Sequence, residues 1–283
     1  GAKRRIAFAD ECAPWKNAAN SIARLPLANE IIEPAQIQRT ARFMEMFEKA
    51  GLIPEGEDKS TQVWNGSDDF QEAAQFRECF ACRQDGQPAI FVFPGIGSGP
   101  GKRWPEGRYI KVINHLIEQH NACVFLDGTD RDFELCKRIK LFTNNSCVNL
   151  AGQHSMGALV VLIKMADLVI ASDSGPIHIA GACGTPAVVI FGPTDPQIWA
   201  PESSCVLVLR KSDCPPCNNS FFCHRGLQFA CTKDVQTSDV IQAGDEILAE
   251  LTVASPEHIS PDNYSMLNGS ENPTSETCRH PSE

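Results

Sequence analysis

The stretch Ala89-Ile90-Phe91-Val92-Phe93-Pro94-Gly95-Ile96-Gly97-Ser98-Gly99-Pro100-Gly101-Lys102-Arg103-Trp104-Pro105 decides the fold. Its first five residues form an unbroken apolar run, as a strand buried on both faces requires. A glycine-rich turn follows. Pro105 then predicts a helix start, because the first helical N–H has no partner to lose. Tyr109, Val112, Ile113, Leu116 and Ile117 recur at i, i+3, i+4, i+7 and i+8, which makes one apolar helix face. The alternation continues with strands at 122–126, 147–150, 168–171, 187–191 and 205–209. Between and after them lie helices near 131–140, 155–166, from Gly175, and 238–251. Repeated βα units with fully apolar strands predict an α/β fold with a doubly wound parallel sheet. Ligands of such sheets bind beyond the carboxyl ends of the strands. The loops after Phe93, Leu126, Leu150 and Ala171 are therefore the places to look.

The flanking sequence is less regular. Residues 1–86 read as a partial N-terminal domain, residues 87–252 as the main domain and residues 253–283 as a disordered tail. Arg5-Ile6-Ala7-Phe8-Ala9 predicts a strand and 37–50 a helix, while the polar stretch 57–70 reads as a linker or loop. The tail is rich in Pro, Ser, Asn and Glu and lacks the apolar surface to repay its ordering. Across all 283 residues, 42% are apolar and 21% charged, the balance of a folded protein. The net charge of -10 argues against a nucleic-acid partner, which would call for a basic footprint. No apolar run reaches about 18 residues, so no membrane-spanning helix is expected. Several of the 13 cysteines sit in apolar stretches, as reduced buried thiols do, which implies a cytoplasmic protein.

Three loops carry the residue types that bind an anionic ligand. The first, 94–105, ends in Lys102 and Arg103. It fits neither the dinucleotide fingerprint nor the Walker A pattern, and it also reads as a solvated basic turn. The second is Ala171-Ser172-Asp173-Ser174-Gly175-Pro176-Ile177-His178, where a strand gives way to a helix. Unpaired N–H groups and the positive end of the helix dipole face the crevice there, a ready phosphate site. Pro176 has no N–H, so Ser174, Gly175, Ile177 and His178 supply the donors. In the plainer reading, Asp173 or Ser174 only caps the helix and His178 is a core histidine. The third, Asp127-Gly128-Thr129-Asp130-Arg131-Asp132, suits a ribose-binding carboxylate, or is simply an acidic first turn. A fourth feature, Cys214-x2-Cys217-x5-Cys223-x7-Cys231, reads as a structural zinc site, as free thiols or as a local disulfide.

Together these segments resemble glycosyltransferase family 9, the lipopolysaccharide heptosyltransferases. The resemblance rests on Lys102-Arg103-Trp104-Pro105-Glu106, Asn149-Leu150-Ala151-Gly152 and Ala166-Asp167-Leu168-Val169-Ile170. It rests most on Ser172-Asp173-Ser174-Gly175-Pro176-Ile177-His178-Ile179-Ala180. That motif continues through Gly184-Thr185-Pro186 to Phe191-Gly192-Pro193-Thr194-Asp195-Pro196. The cysteine cluster also looks like one found in many members.

The resemblance implies a GT-B-like fold: a Rossmann-like C-terminal domain facing an N-terminal one, whose opening βα units and catalytic base are expected to be missing from this chain. It implies inverting, metal-independent transfer of a sugar, heptose from ADP-heptose being the expected case, to a lipopolysaccharide core or related glycan. Neither a cofactor nor a catalytic metal is implied. The partners implied are a nucleotide-diphosphate sugar donor and a glycolipid or glycan acceptor, with at most peripheral contact at the inner face of the cell membrane. A non-catalytic nucleotide-sugar-binding module is the alternative. By position, Lys102 and Asp173 are the catalytic candidates, Lys102 at the donor phosphates and Asp173 at the donor sugar. Ser98 and Gly99 fall at a phosphate, Asp132 at the ribose and His154 at the adenine edge through its backbone. Ser174, Gly175, Pro176 and His178 make up the helix start around the diphosphate.

Overall fold

The structure, a computed structural model, describes residues 6–8, 30–32, 63, 65–76, 87–97, 99–144, 146–201 and 203–254. The expected helix at 37–50, Ser98 and the segment beyond 254 lie outside the described residues. In the N-terminal part, β1 (Ile6–Phe8) and β2 (Glu30–Ile32) form a parallel pair, with Ile6 opposite Glu30 and Phe8 opposite Ile32.

The main domain is built on six parallel strands. These are β3 (Ala89–Phe93), β4 (Cys123–Leu126), β5 (Cys147–Asn149), β6 (Leu168–Ser172), β7 (Ala187–Ile190) and β8 (Val206–Leu209). They lie in the order β5-β4-β3-β6-β7-β8. The chain builds one half outward from β3 and then crosses back to start the other half at β6. The strand order therefore reverses between β3 and β6, and a crevice opens at their carboxyl ends.

Alternate residues of each strand feed two separate cores, as the two-residue side-chain period demands. Ile90, Val92, Val124, Leu126, Ile170 and Ile190 face one side. They meet α2 (Glu106–His120), α3 (Phe133–Phe142) and α8 (Thr237–Ala254) through Ile113, Leu116, Ile139 and Val240. Phe91, Phe93, Phe125, Val169 and Val189 face the other side. They meet α4 (Met156–Lys164) and α5 (Gly175–Cys183) through Leu162, Ile163, Ile177 and Ala180. Phe91 stacks on Phe125 with ring centroids 4.9 Å apart. All five β3 residues are buried, which is why that run has no polar member. Short helices α6 (Pro196–Trp199) and α7 (Ala230–Lys233) complete the domain.

Two expectations need correction. The polar stretch 57–70 is not all loop, because α1 (Ser67–Ala74) begins within it. Its acidic residues are those of a helix start: Asp68 and Asp69 lie in the first turn, and the Asp69 carboxylate accepts the Gly66 N–H at 2.8 Å. Phe70, Ala73 and Phe76 pack into the same core as α4. Likewise, residues 253 and 254 continue α8 rather than opening the tail. A smaller difference concerns Pro105, which is the cap residue before α2, with extended backbone, while the helix itself starts at Glu106.

Candidate active site

The loops after β3 and β6 meet at the point where the strand order reverses. Lys102 ends a one-turn 3-10 helix, Pro100–Lys102, and its Nζ lies 2.7 Å from Oδ2 of Asp173, the residue that follows β6. The same oxygen accepts the hydroxyl of Thr194 at 2.7 Å. Asp173 is only 4% exposed and Lys102 17% exposed, so the cation, not the carboxylate, is the more open member of the pair. The Lys102 ammonium also sits 6.0 Å from the centre of the Trp199 ring.

The α5 N-terminus lies one residue further on. Ser174 is its cap residue, yet the Ser174 hydroxyl donates back to the carbonyl of Ser172 at 2.9 Å and caps nothing. Asp173, engaged by Lys102 and Thr194, is no conventional cap either. The plain capping reading is therefore set aside, and the amides at the start of α5 receive no side-chain cap from Ser174. Pro176 occupies the first turn, where its missing N–H costs least. Gly175 leaves open space where a side chain would stand, and His178 is exposed rather than part of the core.

Several contacts hold these loops in place. Trp104 is buried, donates its Nε1–H to the Val235 carbonyl at 2.9 Å, and meets Tyr109 edge to face at 4.9 Å. The Tyr109 hydroxyl bonds Ser172 at 3.0 Å, tying the start of α2 to the residue before Asp173. Burial pushes the Tyr109 pKa up to about 12, so this group stays neutral. The Gly101 N–H donates to the Ser220 carbonyl at 2.8 Å, and the Thr232 hydroxyl donates to the Gly101 carbonyl. Gly99 has φ +79° and lies so close to Ser220 that a Cβ would fall 2.2 Å from its hydroxyl oxygen. Only glycine fits that close approach in that conformation.

The remaining candidates lie on the β4 and β5 side. Asp132 accepts the backbone N–H and hydroxyl of Thr129 at 2.9 and 2.8 Å, so it does cap its own turn. It also stands against the glycine-rich loop, since a Cβ on Gly95 would fall 2.3 Å from its carboxyl group. His154 turns inward: its Nε2 is 2.8 Å from Asp127 Oδ2, with side chains 4% and 0% exposed. Phe76 meets the imidazole edge to face at 5.8 Å. Burial opposes charging this ring, but the hydrogen bond and charge of Asp127 outweigh it and raise the pKa above the ordinary 6.5. Glu72 of α1 reaches the same loop, accepting the N–H and hydroxyl of Ser155 at 2.7 and 2.5 Å.

The His154–Asp127 pair makes a pH prediction. A raised histidine pKa adds stability that is complete below the unfolded value of 6.5 and is lost as pH rises through the folded value. Thermal melts from about pH 6 to about pH 9 are expected to show the wild type losing this increment, while His154→Gln has a flatter profile. Parallel profiles for the two proteins would mean that the ring is not charged in the fold.

Cys214, Cys217, Cys223 and Cys231 are all free thiols, which removes the local disulfide. The Cys223 thiol is held below its ordinary value by backbone N–H groups, that of Phe229 first. Among the described residues, these four sulfurs do not form a cluster of metal-ligand spacing. The cysteine loop instead carries Ser220, which grips the glycine-rich turn.

Sequence reasoning missed Thr194, Ser220 and Thr232. Thr194 was within reach, because it follows β7 and sits in the Phe191–Pro196 motif. Ser220 and Thr232 act through backbone contacts across more than 100 residues, which no local pattern announces.

A parallel sheet in this order, with a cation and a helix start converging at its switch point, defines the doubly wound class that binds ligands at strand ends. Residues 3–221 match the family model described as glycosyltransferase family 9 (heptosyltransferase). The chain belongs to that family. Lipooligosaccharide heptosyltransferase 2 of Haemophilus ducreyi is 31% identical over 190 residues, covering 64% of this chain and 53% of the relative. The family 9 glycosyl transferase of Veillonella parvula superposes with TM-score 0.68 at 20% identity, over 81% of this chain and 65% of that one. The ADP-heptose lipopolysaccharide heptosyltransferase II of Escherichia coli gives 0.65 at 20% identity, over 88% and 71%. The fold is thus α/β and GT-B-like. The chain spans about half the length of the curated relatives it matches. Among the described residues, no helix is long and apolar enough to cross a membrane.

Proposed function

We propose that this chain works as a glycosyltransferase, moving heptose from ADP-heptose to a lipopolysaccharide core or related glycan. The carrying observation is the Lys102–Asp173 contact beside the start of α5, at the strand-order reversal. In such a transfer an acceptor hydroxyl oxygen forms a bond to the anomeric carbon as the bond from that carbon to the diphosphate oxygen breaks. The acceptor proton passes to a base, and the nucleoside diphosphate departs carrying the electron pair. Attack opposite the leaving group inverts the anomeric centre.

Charge grows on the diphosphate in the transition state, so preorganised positive charge there is the largest lever. Lys102 and the amides of Ser174, Gly175 and Ile177 supply it in a metal-independent reaction. Asp173 orients the ammonium and faces the sugar, Asp132 takes the ribose, and the backbone at His154 takes the base. Gly99 and Pro176 shape the walls around the phosphates. The N-terminal domain, 1–86, takes the acceptor side and 87–252 the donor side. The site is read as cytoplasmic, at the inner face of the membrane that carries a glycolipid acceptor.

Calorimetric titration with ADP, UDP, GDP and their sugar conjugates, paired with a transfer assay, tests this reading. Selective binding of the ADP forms with transfer supports it. A UDP or GDP preference would redirect the donor, and tight ADP-heptose binding without transfer would make the chain a binding module.

A further inference from the structure

Two histidines and an aspartate converge far from the donor loops. His115 and His120 lie in the second half of α2, and Asp245 lies midway along α8. His115 Nε2 is 3.0 and 3.1 Å from the two Asp245 oxygens, and His120 Nε2 is 2.7 Å from Oδ1. Among the described residues, this is the only group of three or more His, Cys, Asp or Glu ligand atoms that all lie within 4.8 Å of one another. The imidazole centroids are 6.2 Å apart and inclined at 62°, so the rings approach one carboxylate from different sides.

Each ring presents the same nitrogen to the same point. As a hydrogen-bonded cluster this needs an N–H on both Nε2 atoms. As a metal site it needs only their loss. Zinc holds nitrogen and oxygen ligands at about 2.0–2.1 Å in tetrahedral array, which sets neighbouring ligand atoms roughly 3.3 Å apart. The histidine–aspartate spans of 2.7 to 3.1 Å open to that value by about 0.2 to 0.6 Å. Two imidazoles with one carboxylate favour zinc, nickel or copper over magnesium or calcium, which prefer all-oxygen shells. The side chains are 27%, 26% and 38% exposed, so an ion can enter and water can complete its shell.

We propose that His115, His120 and Asp245 bind a divalent transition-metal ion that staples α2 to α8. The two helices already pack together through Leu116, Val240 and Ala243, and the ion would pin their outer edge. His120 is the last residue of α2, whose 15 residues span about 20 Å from the donor loop. The ion therefore takes no part in the transfer chemistry, and the site stands whether or not the proposed activity does.

The test is equilibrium dialysis of the whole reduced chain against zinc chloride, with Asp245→Asn and His120→Gln beside the wild type. Cobalt chloride is the second probe, because thiolate ligation gives intense charge-transfer absorption and a His/Asp shell does not. That separates any ion held by Cys214, Cys217, Cys223 and Cys231. The wild type is expected to bind one equivalent more than either variant without added thiolate absorption. Affinity at this site is expected to fall by about tenfold or more in Asp245→Asn. Zinc is expected to raise the melting temperature of the wild type and leave the variants unmoved. Equal stoichiometry and an equal zinc response in all three proteins would overturn the proposal, and circular dichroism of each variant verifies that it is folded.

Discussion

Turnover of Lys102→Ala is expected to fall by roughly 10²–10³, the loss seen when one preorganised donor to a developing negative charge is removed. Lys102 is the described cation that contacts Asp173 at the reversal of strand order, and a leaving diphosphate needs positive charge there. The substitution also leaves Asp173 buried with Thr194 as its hydroxyl partner. Because Lys102 is 17% exposed, water screens part of the pair. The stability cost should then stay below the ~3–5 kcal/mol of a fully buried pair broken on one side. Melting curves recorded beside the kinetics separate the two effects. A folded variant with unchanged turnover would remove Lys102 from the catalytic machinery.

Asp173→Asn is the second large effect, an expected drop of about 10² in kcat/KM. The amide keeps the shape and can still accept from Thr194, but it no longer attracts the ammonium 2.7 Å away. If the two residues act as one unit, the losses do not multiply. The double variant Lys102→Ala/Asp173→Asn should be little worse than Lys102→Ala alone, a coupling of about 1–3 kcal/mol across the cycle. Kinetics on the four proteins measure it, and a double loss equal to the product of the single losses would show that they act independently.

Much of the main domain was legible because parallel strands buried on both faces cannot hide their composition. The runs 89–93, 168–171 and 187–191 are apolar throughout, and each forms a strand with ends within one residue of the expected ones. The α2 face formed by Tyr109, Val112, Ile113 and Leu116 is buried as its spacing requires. The failures have physical causes too. Helix α1 escaped because its first turn is acidic and only Phe70, Ala73 and Phe76 bury it. Asp173 resembled a cap because caps and ligand carboxylates share one position in sequence, and only the arrival of Lys102 and Thr194 tells them apart. The His154–Asp127 pair joins the ends of two adjacent strands, β4 and β5, so it follows from the topology and not from any local pattern.

A crystal of this chain with ADP bound is the most direct test of how the donor is gripped. Both phosphates are expected between the Lys102 ammonium and the amides of Ser174, Gly175 and Ile177, within hydrogen-bonding distance of the lysine and of that helix start. Phosphates seated away from that lysine and that helix start, with the Lys102–Asp173 pair undisturbed, would contradict the proposed mechanism.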